Sequence, residues 1–261
     1  MKFGCCAPIR LYDEVVKAGY DYIDVNGADL YELSDEEFEE AQKKVSCGDI
    51  PCLALSGYAK TEPKMAGDGF DSNAVRDYAK KLMLRAAGLG IKTIGIGSPG
   101  IRKLPEGYDR EKAWQQGREF LEITADAARE YGMTVLLESL HDNLCNFINT
   151  PDEALAMVEE ISRPDVKMVL DFYNIKPMMK DMLDIDKYMK QTIHTHTSGM
   201  GENYSRPQLT EKDYDELKAI FTKLRQIGYD VTISNESDIS KIETEGARAL
   251  DIMKRAYKDA Q

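Results

Sequence analysis

Four times in this chain a helix-compatible segment runs through a glycine into an apolar stretch: Ala18-Gly19-Tyr20, Ala87-Gly88-Leu89-Gly90, Tyr131-Gly132-Met133 and Ile227-Gly228-Tyr229. A glycine at such a joint supplies the left-handed residue that ends a helix without a Cβ clash, so all four read as one repeated helix-to-strand connection. Short runs rich in β-branched residues recur about every 30 residues, with longer segments of helical periodicity between them. The pattern predicts strands at Lys2–Ala7, Tyr22–Asn26, Cys52–Leu55, Thr93–Gly97, Thr134–Glu138, Val166–Asp171, Gln191–His196 and Asp230–Glu236. Eight alternating units in 261 residues predict an α/β chain folded as a single (β/α)8 barrel over residues 1–261, and no Pro/Gly/Ser-rich linker divides it. The competing architecture, a doubly wound open sheet, usually places a Gly-rich nucleotide fingerprint after its first strand. Here the first strand leads into Pro8-Ile9-Arg10.

Helix starts are equally legible. Ser34-Asp35-Glu36-Glu37 has the spacing of a capping box, and Thr150-Pro151-Asp152-Glu153 puts Pro at the first helical position. The acidic run Glu32–Glu40 reads as the solvated face and first turn of the same early helix.

Charge and cysteine usage narrow the function. With 46 acidic against 34 basic residues the formal net charge is −12, and Lys and Arg form no clustered stripe able to neutralise a phosphate backbone, so no nucleic-acid partner is expected. No apolar run reaches the roughly 20 residues that cross a bilayer. Arg10, Asp13 and Glu14 interrupt any apolar signal core near the start, so a cytoplasmic location and no membrane partner are expected. The five cysteines are odd in number and lack a C-x-x-C pair, which predicts reduced, buried thiols.

In a barrel of this kind chemistry sits at the C-terminal strand ends. Four predicted strands end on a side chain able to ligate a metal: Glu138 after Val-Leu-Leu, Asp171 after Met-Val-Leu, His196 after Ile-His-Thr, and Glu236 after Ile-Ser-Asn. Carboxylates directly after apolar strands are costly unless a cation meets them, and one divalent metal would satisfy all four groups. Three carboxylates and one imidazole favour Mn²⁺, Mg²⁺ or Co²⁺ over a thiolate-rich structural zinc site, Mn²⁺ being the first expectation. His194 shares the inward face with His196, one layer down; it is either a hydrogen-bonded core histidine orienting the ligands or a substrate contact. His141 lies three residues after Glu138 in a long loop, where it is either an exposed loop residue or a general acid/base. Asn174 and Arg206 are the remaining expected substrate contacts. Long loops at 57–73, 97–110, 139–150 and 197–210 follow strands and should shape the pocket. Gly97-Ser98-Pro99-Gly100, beside Arg102 and Lys103, is read as a turn in preference to an anion nest.

The set Glu138, Asp171, His196 and Glu236 resembles the xylose-isomerase-like TIM-barrel family of sugar phosphate isomerases and epimerases, which shares its fold with DNA-repair endonuclease IV. Segments Ala18–Ile23, Leu104–Gly107, Asn146–Thr150 and Ile227–Asp230 also look like that family's recurring elements. Resemblance to its ketose 3-epimerases implies that Glu138 and Glu236 are both ligands and acid/base groups on opposite faces of a keto-sugar. Three positions depart from that pattern: Leu144 where a second glutamate is usual, Glu202 where an arginine is usual, and Asn174 where a histidine is usual; His141 also stands where Asn is common. These departures resemble the catalytic α subunit of bacterial C-glycoside deglycosidases, which implies a 3-oxo-glucoside substrate, a small β subunit as partner, and His141 handling the aglycone proton. Epimerisation of a ketose is the alternative, and a non-catalytic sugar-binding barrel the second. The endonuclease activity is excluded because three histidines are too few for its three-metal site and a duplex-binding face needs positive charge.

Overall fold

The computed structural model describes residues 1–261. Eight parallel strands close into a barrel in the order of the chain: β1 (Lys2–Ala7), β2 (Tyr22–Asn26), β3 (Cys52–Ser56), β4 (Thr93–Ile96), β5 (Thr134–Glu138), β6 (Val166–Asp171), β7 (Thr192–Thr197) and β8 (Thr232–Asn235). β8 pairs with β1 to complete the ring, so the open doubly wound sheet does not form. Four strands have the bounds expected from the sequence. At β7 and β8 the ladder is displaced: His196 is the penultimate residue of its strand, and Glu236 lies just beyond its own.

The main outer helices are α1 (Tyr12–Ala18), α2 (Asp35–Ser46), α3 (Ser72–Gly88), α4 (Arg110–Arg129), α5 (Pro151–Ile161), α6 (Asp186–Met189), α7 (Tyr214–Gln226) and α8 (Ala247–Asp259). Both capping boxes form, Ser34 with Glu37 and Thr150 with Glu153, each satisfying an otherwise free amide of the first turn. Gly19, Gly90, Gly132 and Gly228 all have positive φ, as the repeated joint requires. One continuous hydrophobic core fills the layer between strands and helices. The bottom of the barrel is closed by Tyr22, fully buried, whose ring lies where a Cβ on Gly4 would be 2.1 Å away. No helix is long and apolar enough to cross a membrane. All five cysteines are free thiols; four are buried as expected, while Cys47, at the end of α2, is exposed.

Candidate metal centre and active site

The strand ends deliver four groups to one point. Ligating atoms of Glu138, Asp171, His196 and Glu236 all lie within 4.8 Å of one another. Strand register produces this: β6 and β7 pair with Asp171 opposite His196, and β5 pairs with β6 with Glu138 opposite Val169. Glu138, Asp171 and His196 are buried, whereas the Glu236 side chain retains 29% exposure at the mouth.

Each carboxylate is held by a neighbour. After β6 the chain turns into a short helix, Phe172–Ile175, which Asp171 caps by accepting the Tyr173 amide at 3.0 Å. One turn on, Asn174 donates its side-chain amide to Glu138 Oε1 at 2.7 Å and Asp171 Oδ2 at 2.9 Å. Arg206, on the loop after β7, reaches back to Asp171 Oδ2 at 2.7 Å and Glu236 Oε2 at 3.0 Å, with its guanidinium 3.9 Å over the Tyr173 ring. Arg102 is fully buried and donates to the carbonyls of Glu138, at 2.7 Å, and Ile96, at 2.5 Å. It ties β4 to β5 and is spent on main chain, so Gly97-Ser98-Pro99-Gly100 is a turn, with a short 3₁₀ helix at Pro99–Ile101.

Beneath the four lies Asp24 on β2, which sequence reading missed. The Nε2 atoms of His194 and His196 stand 3.0 and 3.1 Å from Asp24 Oδ2, and Ser234 Oγ donates to the same oxygen at 3.0 Å. His194 Nδ1 meets Thr232 Oγ1 at 2.7 Å, which places His194 within the barrel floor, one layer below the mouth. A signal for Asp24 existed: an acid between Ile23 and Val25 in a strand buried on both faces must find donors inside. Gly97 was also missed as a functional position and read only as turn chemistry.

The electrostatics are asymmetric. Burial, with Glu236 and Asp171 nearby, pushes the Glu138 carboxyl up to about 8. Burial would raise Glu236 too, but Arg206 and His196 outweigh it and hold Glu236 below the usual range. Burial would lift Asp24 as well, yet the hydrogen bonds from His194 and His196 hold it far below. His196 is raised well above ordinary imidazole, because Asp24 and Glu236 outweigh its desolvation.

These residues fit a divalent ion. With Glu138 ionised, the four carboxylates of Asp24, Glu138, Asp171 and Glu236 outnumber by two the cationic side chains that contact them, Arg206 and protonated His196, and in the metal-free site only a proton held on Glu138 offsets part of that deficit. His196 Nδ1 is buried without a well-formed hydrogen bond, and Glu236 Oε2, 3.3 Å from it, is held only by the ion pair with Arg206 at 3.0 Å. Buried lone pairs of this kind are what a hard cation takes up.

His141 sits at the wall of the same mouth. The loop from Ser139 to Thr150 is braced by Asn149, whose amide donates to the Leu140 and Cys145 carbonyls at 2.8 and 2.9 Å. The His141 ring is buried, its centroid 4.8 Å from that of Tyr204 and 5.5 Å from that of Tyr173, and both ring nitrogens lack partners. Burial, then Arg206, lower its pKa, so the ring is neutral near pH 7. Cavities of about 480 and 460 Å³ flank Glu236, one lined by Cys6, Asn26 and Ser56, the other by Ser205, Arg206 and Ser237. Their size suits a small polar molecule. A cavity of about 690 Å³, between the loop after β7 and α8, touches none of the four candidate ligands.

A closed parallel barrel with an acid-rich, metal-competent mouth defines a class of TIM-barrel proteins. The chain belongs to the xylose isomerase-like TIM barrel family, whose sequence profile matches residues 12–256. It is 26% identical over 165 residues to a D-psicose 3-epimerase of Agrobacterium fabrum, a match covering 62% of this chain and 57% of that one. It is 31% identical over 140 residues to a ketose 3-epimerase of Arthrobacter globiformis, covering 52% of this chain and 46% of the relative. The chain thus spans about half the length of these curated relatives. A crystal structure of a D-psicose 3-epimerase in the presence of D-fructose superposes with a TM-score of 0.81 at 22% identity, covering 98% of this chain and 99% of the other.

Proposed function

We propose that the protein is a divalent-metal-dependent enzyme that enolises a keto-sugar, and that its reaction is epimerisation or isomerisation. The observation that carries this reading is the pair Glu138 and Glu236, two carboxyls of opposite electrostatic bias within 4.8 Å of each other. They come from different strands, Glu138 from the end of β5 and Glu236 from just past β8. A bound divalent ion would supply positive charge for an oxyanion that develops on the sugar. The family and its ketose 3-epimerase relatives support the substrate class.

The chemistry assigned to this chain's own residues follows from their environments. Glu236, kept ionised by Arg206 and His196, takes the proton from the carbon next to the carbonyl. The C–H electron pair becomes the carbon–carbon double bond of an enediolate, and the carbonyl oxygen gains the negative charge. Glu138, the carboxyl of the pair with the higher proton affinity, carries the proton that is returned to the opposite face. Environments that push two carboxyls apart in this way separate acid from base. Asn174 holds Glu138 in place, and Arg206 orients substrate oxygens beside Asp171. Incubation of Mn²⁺-loaded protein with a ketohexose such as D-fructose in D₂O tests the reading. Deuterium at the α carbon with a new epimer is expected; unchanged sugar across a panel of ketoses would overturn it.

A second reading, cleavage of 3-oxo-C-glucosides, is favoured by His141, a neutral, unpartnered imidazole at the wall of the mouth. There the ketone acidifies the C2 hydrogen, a glutamate removes it, and the electron pair forms the C1–C2 double bond as the C1–aglycone bond breaks. The departing aglycone takes the bond pair and then a proton through His141. A small partner subunit of the deglycosidase kind belongs to this reading alone. Free aglycone from a 3-oxo-C-glucoside would establish it.

A further inference from the structure

We propose that Asp24 is a positioning residue that aims His196 at the metal: it takes the Nε2 proton of His196 as a hydrogen bond and so leaves the Nδ1 lone pair facing the other three ligands. This rests on the metal reading above and adds the residue that orders the site from below.

Asp24 lies on β2, which is separated from β7 by β1 and β8, so its carboxylate crosses the barrel interior to reach the imidazole. It is fully buried. An ionised carboxylate only accepts hydrogen bonds, so a ring nitrogen 3.1 Å from Asp24 Oδ2 must be the protonated one. That fixes which nitrogen can bind an ion: Nδ1 stands 3.3 Å from Glu236 Oε2 without a well-formed hydrogen bond, and it is the nitrogen free to exchange its proton for the metal. Asp24 is itself fixed from three sides. His194 and Ser234 reach the same oxygen at 3.0 Å each, and Ser234 Oγ is 2.9 Å from the hydroxyl of Tyr22. The His194 ring packs edge-on against the His196 ring, with centroids 4.9 Å apart, which blocks rotation of the imidazole away from the mouth. A full charge buried in a barrel floor is a costly way to brace a fold. It is the expected way to raise the basicity of a metal-binding imidazole and to hold its orientation.

The test reads the tautomer directly. Long-range ¹H–¹⁵N NMR of ¹⁵N-labelled protein loaded with Zn²⁺, a diamagnetic probe, should show His196 protonated at Nε2 and Nδ1 shifted by the ion. Zn²⁺ titration of Asp24→Asn should show affinity reduced about 10- to 100-fold. Because the NMR measurement uses the unmutated protein, it stands even where the variant folds poorly. A His196 protonated at Nδ1 with Nε2 toward the ion, or an Asp24→Asn protein that binds Zn²⁺ as tightly as the parent, would overturn the role of Asp24 while leaving the metal centre in place. An unmutated protein that takes up no Zn²⁺ would overturn both.

Discussion

A Cβ placed on Gly97 would lie 1.7 Å from Glu138 Oε2 and 2.9 Å from its carboxyl carbon. The end of β4 is therefore bare so that the Glu138 side chain can occupy the centre of the mouth. Even the smallest side chain at position 97 must displace a candidate ligand. Gly97→Ala is expected to keep the fold and to lower Mn²⁺ affinity about tenfold or more, a typical cost of disturbing the residues behind a metal ligand. Circular dichroism and a metal titration check the two halves, and an unchanged affinity would count against Glu138 as a ligand.

Arg206 is the cation that faces Asp171 and Glu236 directly. Removing it as Arg206→Ala strands two carboxylates at the mouth, and loss of one partner from a buried pair typically costs about 3 kcal/mol. The metal-free variant should melt well below the parent, and Mn²⁺ should recover most of the difference. If Mn²⁺ stabilises variant and parent equally, the charge deficit has been misassigned.

Metal binding should depend on pH with a definite sign. Glu138 is raised to about 8 from its ordinary 4.5, so between those values the folded metal-free protein holds a proton that the unfolded chain has lost. Its contribution to stability is fully present below about 4.5 and is lost as pH climbs through about 8. An incoming ion must displace that proton and the one on His196 Nδ1. Calorimetry in two buffers of different ionisation enthalpy should find about two protons released per ion at pH 6.5, and fewer above pH 8. Proton-neutral binding at pH 6.5 would contradict the assignment.

His141 separates the two reactions. His141→Ala should spare α-proton exchange, which needs only the carboxylates, and should cripple aglycone release from a 3-oxo-C-glucoside by 10²- to 10⁴-fold, the usual span for one acid/base group. Equal loss of both activities would refute the division of labour.

What the sequence revealed and what it hid have physical causes. Glu138, Asp171, His196 and Glu236 were legible because each falls at the C-terminal end of a predicted strand, and in a parallel barrel every strand's C-terminal end points to one face. The glycine joints and capping boxes were legible because a helix end needs particular atoms within a few residues. Asp24 was not, because its partners His194 and His196 are distant in the chain and only the closed ring of strands brings them together. Gly97 was hidden for a related reason: Gly-Ser-Pro-Gly explains itself as a turn, and nothing local says that a glutamate from the next strand fills the space. The one-residue displacement at β8 leaves Glu236 just outside the ladder, where its side chain stays partly exposed beside both mouth cavities.

The central claim is that two carboxyls move a proton at the carbon beside a sugar carbonyl. Its most direct measurement is solvent deuterium exchange into a ketohexose, followed by NMR with Mn²⁺-loaded parent and Glu236→Gln proteins of equal metal content. The account predicts deuterium at the α carbon with the parent and nearly none with the variant. Exchange that persists at most of the parental rate in Glu236→Gln would contradict it.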